Sequence, residues 1–187
     1  VEQGQWTVRQ CLSHCPTICY LQESREGMMY RETTLADTVH LIEPGALRDR
    51  ELELIVVEKF LGNPSWGLSP AYRFKMVNNY DGRELGRIEL RIGNTTDLKM
   101  YSGHIGYRVH QAHRGHRYAA RSVRLLVPLA RYHQLGTLWI TCNPDNYASR
   151  RSCELAGLEL IEIVDLPSST DMYRRGERQK CRYRLRL

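Results

Sequence analysis

From Glu51 onward the apolar positions of the chain alternate with polar ones, and the alternation breaks at turns. Leu52, Leu54 and Val56, with Ile55 and Val57 between and beside them, form a β-branched run that predicts a buried strand ending near Phe60. The segment LGNPSWGLSP that follows is a loop by composition. Ala71 to Val77 alternates Tyr72, Phe74 and Met76 with Arg73 and Lys75, and Asp81-Gly82 then turns the chain. Leu85 to Ile92 returns with Ile88, Leu90 and Ile92 on one face and Arg87, Glu89 and Arg91 on the other. Together these segments predict an antiparallel meander. His104 to His110 adds a strand with Ile105, Tyr107 and Val109 on one side.

Beyond the meander the period changes. Ala119, Val123, Leu126, Val127 and Ala130 share one side of a helix over about 118–133. Pro128 removes a hydrogen bond from that helix and predicts a kink or break near Arg124 to Val127. Leu138 to Thr141 predicts a short buried strand, Tyr147 to Leu155 a second helix, and Leu158 to Val164 another strand. DLPSSTDMYRRGERQ reads as a long loop. In the last strand Lys180, Arg182, Arg184 and Arg186 alternate with Cys181, Tyr183, Leu185 and Leu187, which describes a half-buried strand with a charged outer face. Residues 1–46 carry the weakest pattern and read as an N-terminal extension to a domain spanning 47–187. Within the extension, Thr34 to Ile42 fits either a short helix or a strand before Pro44-Gly45.

Composition narrows the class. A chain of 187 residues, 42% of them hydrophobic, is long enough for one well-buried core. No apolar run approaches the roughly 18 residues of a membrane span, and the start of the sequence has no basic-then-apolar leader. A cytoplasmic protein is the expectation. Six cysteines are too sparse for a disulfide scaffold, and Cys142, Cys153 and Cys181 sit in apolar-patterned segments as reduced, buried thiols. Cys11, His14, Cys15 and Cys19 cluster, but their spacing matches no common paired-cysteine site and Pro16 interrupts a helix there, so no metal is expected. The net charge of +6 is almost wholly arginine, since Lys59, Lys75, Lys99 and Lys180 are the only lysines. Arginine holds phosphates in bidentate fashion, which favours an anionic ligand. Nucleic acid is the other reading of such charge, but the period of two in the last strand favours a solvated face over a binding stripe.

The chemistry concentrates between Gly103 and Leu158. A turn that opens a helix presents backbone N–H groups with no internal partner, where the aligned peptide dipoles also favour negative charge. In HRGHRYAA, Gly115 allows close backbone approach, small Ala119 lets the helix pack tightly, and Arg114 and Arg117 can add charge-assisted bonds. A phosphate or pyrophosphate is the natural guest.

The residues RGHRYA resemble the signature Arg/Gln-x-x-Gly-x-Gly/Ala of the GNAT superfamily of N-acetyltransferases, with Arg114 first and Ala119 last. The strand HIGYRV before it, the helix after it, the strand LWIT, then Asn146-x-x-Ser149 and Gly157-Leu158 follow in the family's order. The resemblance covers roughly residues 51 to 187. It implies a mixed α/β (α+β) fold, in which a central, mostly antiparallel sheet is splayed between two adjacent parallel strands and flanked by helices. It further implies that acetyl-CoA lies in that opening as co-substrate. The backbone of Gly115, His116, Arg117, Tyr118 and Ala119, with Arg114, would hold the pyrophosphate. The strand carrying Tyr107 and Val109 would pair with the pantetheine arm, and Asn146 and Ser149 would bond near it.

Three departures from the family pattern stand out. Arg117 occupies a position usually held by glycine, and the start of a right-handed helix there would tolerate it. About ten loop residues replace the two helices that members carry between their first two strands. Cys153 stands where many members place the tyrosine that protonates the leaving thiolate. The reaction implied is direct attack of a primary amine on the thioester, and deprotonating an alkyl ammonium of pKa about 10.4 at pH 7 takes about 4–5 kcal/mol. Glu89 is the first candidate for a base, with pairing to Arg87 or Arg91 as its structural alternative. Cys153 as acid or packed thiol, Tyr173 in the late loop, and His104 and His110 as proton relays complete the catalytic candidates. Asp165, Asp171 and Glu177 could serve a cationic acceptor. A catalytically weak CoA-binding module of the same fold is the alternative function, no membrane partner is expected, and a homodimer accords with family habit.

Overall fold

The computed structural model describes residues 39–187 and the backbone of two short paired strands, β1 (Ile18–Tyr20) and β2 (Arg31–Thr33). The chain divides into two units, Val1–His40 and Leu41–Leu187. The cysteine cluster at 11, 15 and 19 lies outside the described side chains, as does most of the 34–42 segment, whose last four residues form neither helix nor strand.

The second unit begins with β3 (Leu47–Asp49), β4 (Leu52–Phe60), β5 (Ala71–Asn78), β6 (Glu84–Arg91) and β7 (Ile105–Val109), which form a five-stranded antiparallel sheet in that order. Its buried rows are those the alternation marks. Leu52, Leu54, Tyr72, Phe74, Met76, Ile88 and Leu90 are all within a few per cent of complete burial. The β4–β5 connection holds only a short turn of 3-10 helix at Pro64–Trp66, so no α-helix stands between these strands.

Helix α1 (Tyr118–Tyr132) then crosses to β8 (Thr137–Cys142), followed by α2 (Tyr147–Ala156), β9 (Glu159–Asp165), the single turn α3 (Asp171–Arg174) and β10 (Gln179–Arg186). The last strands form a second antiparallel sheet in the order β8-β10-β9. Ala119, Val123, Leu126 and Ala130 are buried along one stripe of α1, as the 3.6-residue period demands. The break expected at Pro128 does not occur, and α1 is continuous through it. Pro128 and Arg124 are both exposed, so the carbonyl that loses its partner lies on the water side, where the loss is least costly.

The charged row of β10 also differs from expectation. As the central strand of its sheet, β10 buries Lys180 and Arg182, at 8% and 6% exposure. Arg182 stacks over Trp139 at 4.2 Å, donates to the Lys99 carbonyl at 2.9 Å and pairs with Glu162. These cations are bonded inside the protein, which removes half of the supposed solvated face.

One backbone contact sets the position of β7. The register slips at Met76/Val77, and Gly86 then faces Val109 so closely that a Cβ would lie 2.3 Å from the Arg108 carbonyl oxygen. Only glycine allows that approach. Gly86→Ala should force β6 and β7 apart and destabilise the protein by about 1–3 kcal/mol, lowering Tm by several degrees. An unchanged melting temperature would show that β7 is free to move.

Candidate functional site

The two sheets meet at one end of β7 and β8. The His104 N–H donates to the Trp139 carbonyl at 2.6 Å, and the Trp139 N–H donates to His104 Nδ1 at 3.0 Å. His104 Nε2–H donates to the Gly93 carbonyl at 2.9 Å. The imidazole is fully buried with both nitrogens bonded, which fixes the neutral form, and burial holds its pKa below the ordinary histidine value. His104 is therefore a pin between sheets. His110, the other relay candidate, is exposed and lies 3.4 Å from Glu84.

Beyond the pin the strands part, and a two-lobed cleft opens between them. Its larger lobe, about 560 Å³, lies between β7, the start of α1 and α2. Its smaller lobe, about 230 Å³, continues between β7 and β8 toward Glu177 and Lys180. Tyr107, Asn146 and Ser149 belong to the walls of both lobes and mark their junction.

The larger lobe ends on the turn into α1. Gly115 has φ 89°, and Arg117 has φ 61° and ψ 22°. Arg117 thus corrects the sequence expectation: it does not enter the helix right-handed but takes the left-handed conformation that glycine serves elsewhere, at a cost on the order of 1–2 kcal/mol. The reason lies in the turn, which must reverse direction between Gly115 and Tyr118 before the first helical bond, Arg121 N–H to the Arg117 carbonyl, can close. None of the backbone N–H groups of residues 115 to 120 donates to another described residue. Arg108, His113, Arg114, Arg117 and Arg151 surround them in the lobe wall. Val109, Tyr118 and Ala119 also line it, whereas the His116 side chain stacks on Tyr118 outside the wall. Arg108, His113 and Arg151 were not among the sequence candidates. Only their place on exposed or half-buried positions of β7, the turn and α2 could have suggested them.

At the junction, Asn146 Oδ1 caps α2 by accepting the Ser149 N–H at 3.0 Å, which leaves its amide nitrogen to donate elsewhere. The Tyr107 hydroxyl lies 2.9 Å from Ser149 Oγ, 3.2 Å from the Ser149 carbonyl and 3.8 Å from Cys153 Sγ. Cys153 itself is completely buried beneath it, and burial pushes its pKa up to about 12.

The smaller lobe contains one carboxylate, Glu177, ion-paired to Lys180, whose Nζ also donates to Asn143 Oδ1 at 2.7 Å. Glu89 is on neither wall. It projects beside Gly106, held by Arg91 at 3.0 Å and Arg73 at 3.5 Å. Tyr173 is also off the walls, with the Arg178 guanidinium 4.1 Å above its ring. Among the described residues no group of three or more His, Cys, Asp or Glu side chains could hold a metal, and no helix is long and apolar enough to cross a membrane.

The fold has counterparts among solved structures. The chain matches a Vibrio cholerae protein provisionally named a ribosomal-protein-serine acetyltransferase, with a TM-score of 0.56 and 13% identity over 78% of this chain and 100% of that one. It also matches the ribosomal-protein-S5-alanine acetyltransferase of Vibrio fischeri, with a TM-score of 0.50 and 15% identity over 62% of this chain and 61% of that one. At such identities the likeness is one of fold. No curated protein matches the sequence. The family described as the acetyltransferase (GNAT) domain matches residues 11–159. With the signature turn at the head of α1 and the splayed β7–β8 cleft, that match over most of the chain establishes that the protein belongs to the GNAT acetyltransferases, which use acetyl-CoA as co-substrate.

Proposed function

We propose that the protein is an acetyl-CoA-dependent N-acetyltransferase that acetylates a primary amine by direct attack on the thioester. The observation that carries this reading is the two-lobed cleft, with unpaired backbone N–H groups closing one lobe and a single carboxylate in the other. A pyrophosphate fits the first: the unpaired N–H groups of Gly115, Arg117, Tyr118 and Ala119 in its wall and the surrounding guanidiniums match its charge and its many acceptors. β7 is the edge of its sheet, so its cleft side can bond the amides of a pantetheine arm as a neighbouring strand would. The Asn146 amide nitrogen can donate to the same arm. In this reading the thioester lies at the junction of Tyr107 and Ser149.

The acceptor then enters through the smaller lobe. At about 230 Å³ that space suits a slender aminoalkyl end or a chain terminus better than a bulky ring. Glu177 would hold the ammonium and take its proton, with Lys180 fixing the carboxylate and Asn143 fixing Lys180 in turn. In this reading Glu89, Tyr173 and Cys153 are structural: the first two are tied to arginines and line neither lobe, and the third has no exposed surface. The buried, free thiols of Cys142, Cys153 and Cys181 support a reducing, cytoplasmic setting.

Acetyl-CoA and CoA should raise Tm saturably, and Ala119→Glu, which puts a carboxylate into the phosphate cradle, should abolish the shift. A panel of small primary amines should release CoA at a rate that rises with pH as the free amine is populated. No shift at millimolar acetyl-CoA would sink the reading; a shift with no turnover on any amine would favour the CoA-binding module. Arg117→Gly separates backbone from side chain at the same turn. It relieves the left-handed strain at the expense of chain entropy, so stability should hold or rise slightly, while CoA binding weakens about tenfold through loss of a phosphate contact. Unchanged affinity would show that the guanidinium does not touch the phosphates.

A further inference from the structure

The wall of the smaller lobe carries one charge of each sign, Lys180 and Glu177, in contact with each other. Apart from them it is neutral, from Ile140 and Cys142 to Asn143 and Asn146. Lys180 is held in β10 opposite Val164 and is 8% exposed. The chain before it pins Glu177, whose N–H donates to the Met172 carbonyl at 3.1 Å and whose carbonyl accepts from Arg178 Nη1 at 2.9 Å. Neither charged group has used all its bonds. Of the three Lys180 N–H groups, one goes to Glu177 Oε2 and one to Asn143 Oδ1, at 2.7 Å, and the third has no partner among the described residues. Glu177 Oε1 likewise accepts from no described residue.

An acceptor that is only a cation meets this wall badly. Its ammonium reaches Glu177 by standing beside the Lys180 ammonium, so that one carboxylate serves two like charges where Lys180 is shielded from water and their repulsion is weakly screened. A carboxylate next to the acceptor's amine removes the conflict. The ammonium then sits on Glu177 Oε1, the carboxylate takes the third Lys180 N–H, neighbouring charges alternate in sign, and the bonds from Lys180 to Glu177 and Asn143 remain. Resting on the acetyltransferase reading above, we infer that the acceptor is a free α-amino acid with an uncharged side chain, and that Lys180 selects it by binding its carboxylate. The space of about 230 Å³ suits a molecule of that size, and the wall has no further charge to hold a charged side chain. The amino end of a peptide has given its carboxylate to the amide bond and an alkylamine has none, so both leave the Lys180 bond unmade.

The test gives the full chain acetyl-CoA and sets alanine, valine, leucine and methionine each against its own amide and its decarboxylated amine, at equal concentrations of free amine, with CoA release as the readout. The best amino acid should exceed its amide and its amine by about tenfold in kcat/KM, as one charge-assisted bond supplies. Lys180→Gln, which keeps a donor for Asn143 but removes the cation, should bring acid and amide together. A second readout needs neither a variant nor turnover: in calorimetry on the CoA-loaded protein, the amino acid should bind about tenfold more tightly than its amide. Amides or alkylamines that react as well as the amino acids, or better, would overturn the inference while leaving the acetyltransferase reading intact. A preference for the acid that survives in Lys180→Gln would overturn the role of Lys180. If the protein binds CoA but acetylates no amine, both readings fall together.

Discussion

One buried imidazole joins the two sheets at the point from which the cleft opens. His104 accepts from Trp139 through Nδ1 and donates to Gly93 through Nε2, while its own N–H bonds the Trp139 carbonyl. A buried group that uses all its polar atoms has no low-cost alternative position, because breaking either ring bond strands a donor or acceptor away from water. The closed end is therefore rigid. Gly86 presses on the other end of β7 through the Arg108 carbonyl, and the strand that lines both lobes is held at its two limits. The gap between these points is available for a ligand only because β7 and β8 continue without a shared ladder past Trp139.

The arginine-rich charge is distributed around that frame in two ways. Some guanidiniums are internal ties. Arg121 binds Asp49 and Glu51 and so anchors the first turn of α1 to the β3–β4 corner, holding the Glu51 carboxyl down to about 2. Arg182 ties β10 to Trp139 and to the 98–102 turn. Others face the larger lobe, where Arg108, Arg114 and Arg117 make no ion pair with a described residue. The tied group explains why a basic chain need not bind nucleic acid. The second group, gathered at an unpaired helix terminus, supports the larger lobe as the proposed site of an anion.

Periodicity made the meander, both long helices and the signature turn legible, because each is fixed by local spacing. The exceptions share a different cause. The sign of φ at Arg117 is set by the closure of the turn between β7 and α1, and an arginine in the sequence gives no sign of it. The water-side placement of Pro128, which spares α1 a break, depends on which face of the helix the sheet covers. Lys180 and Arg182 read as solvated because alternation gives the faces of a strand but not what packs on each. Glu89 and Glu177 divide in the same way: both are single carboxylates in polar surroundings, and only the splay of β7 from β8 decides that Glu177 is on the cleft wall and Glu89 beside Gly106 is not. Tyr107 was legible as a cleft residue from its strand. Its place above Cys153 required the two sides of the cleft to be brought together.

The central claim is that the opening beyond His104 is the acetyl-CoA site. Amide hydrogen exchange with and without acetyl-CoA tests it most directly, since it reports on the backbone groups that would bind. Bound acetyl-CoA should slow exchange across residues 115–120 and along 106–109, and leave the β5–β6 hairpin over 71–91 unchanged. Protection confined to other segments, or none at the head of α1 under saturating ligand, would contradict the account.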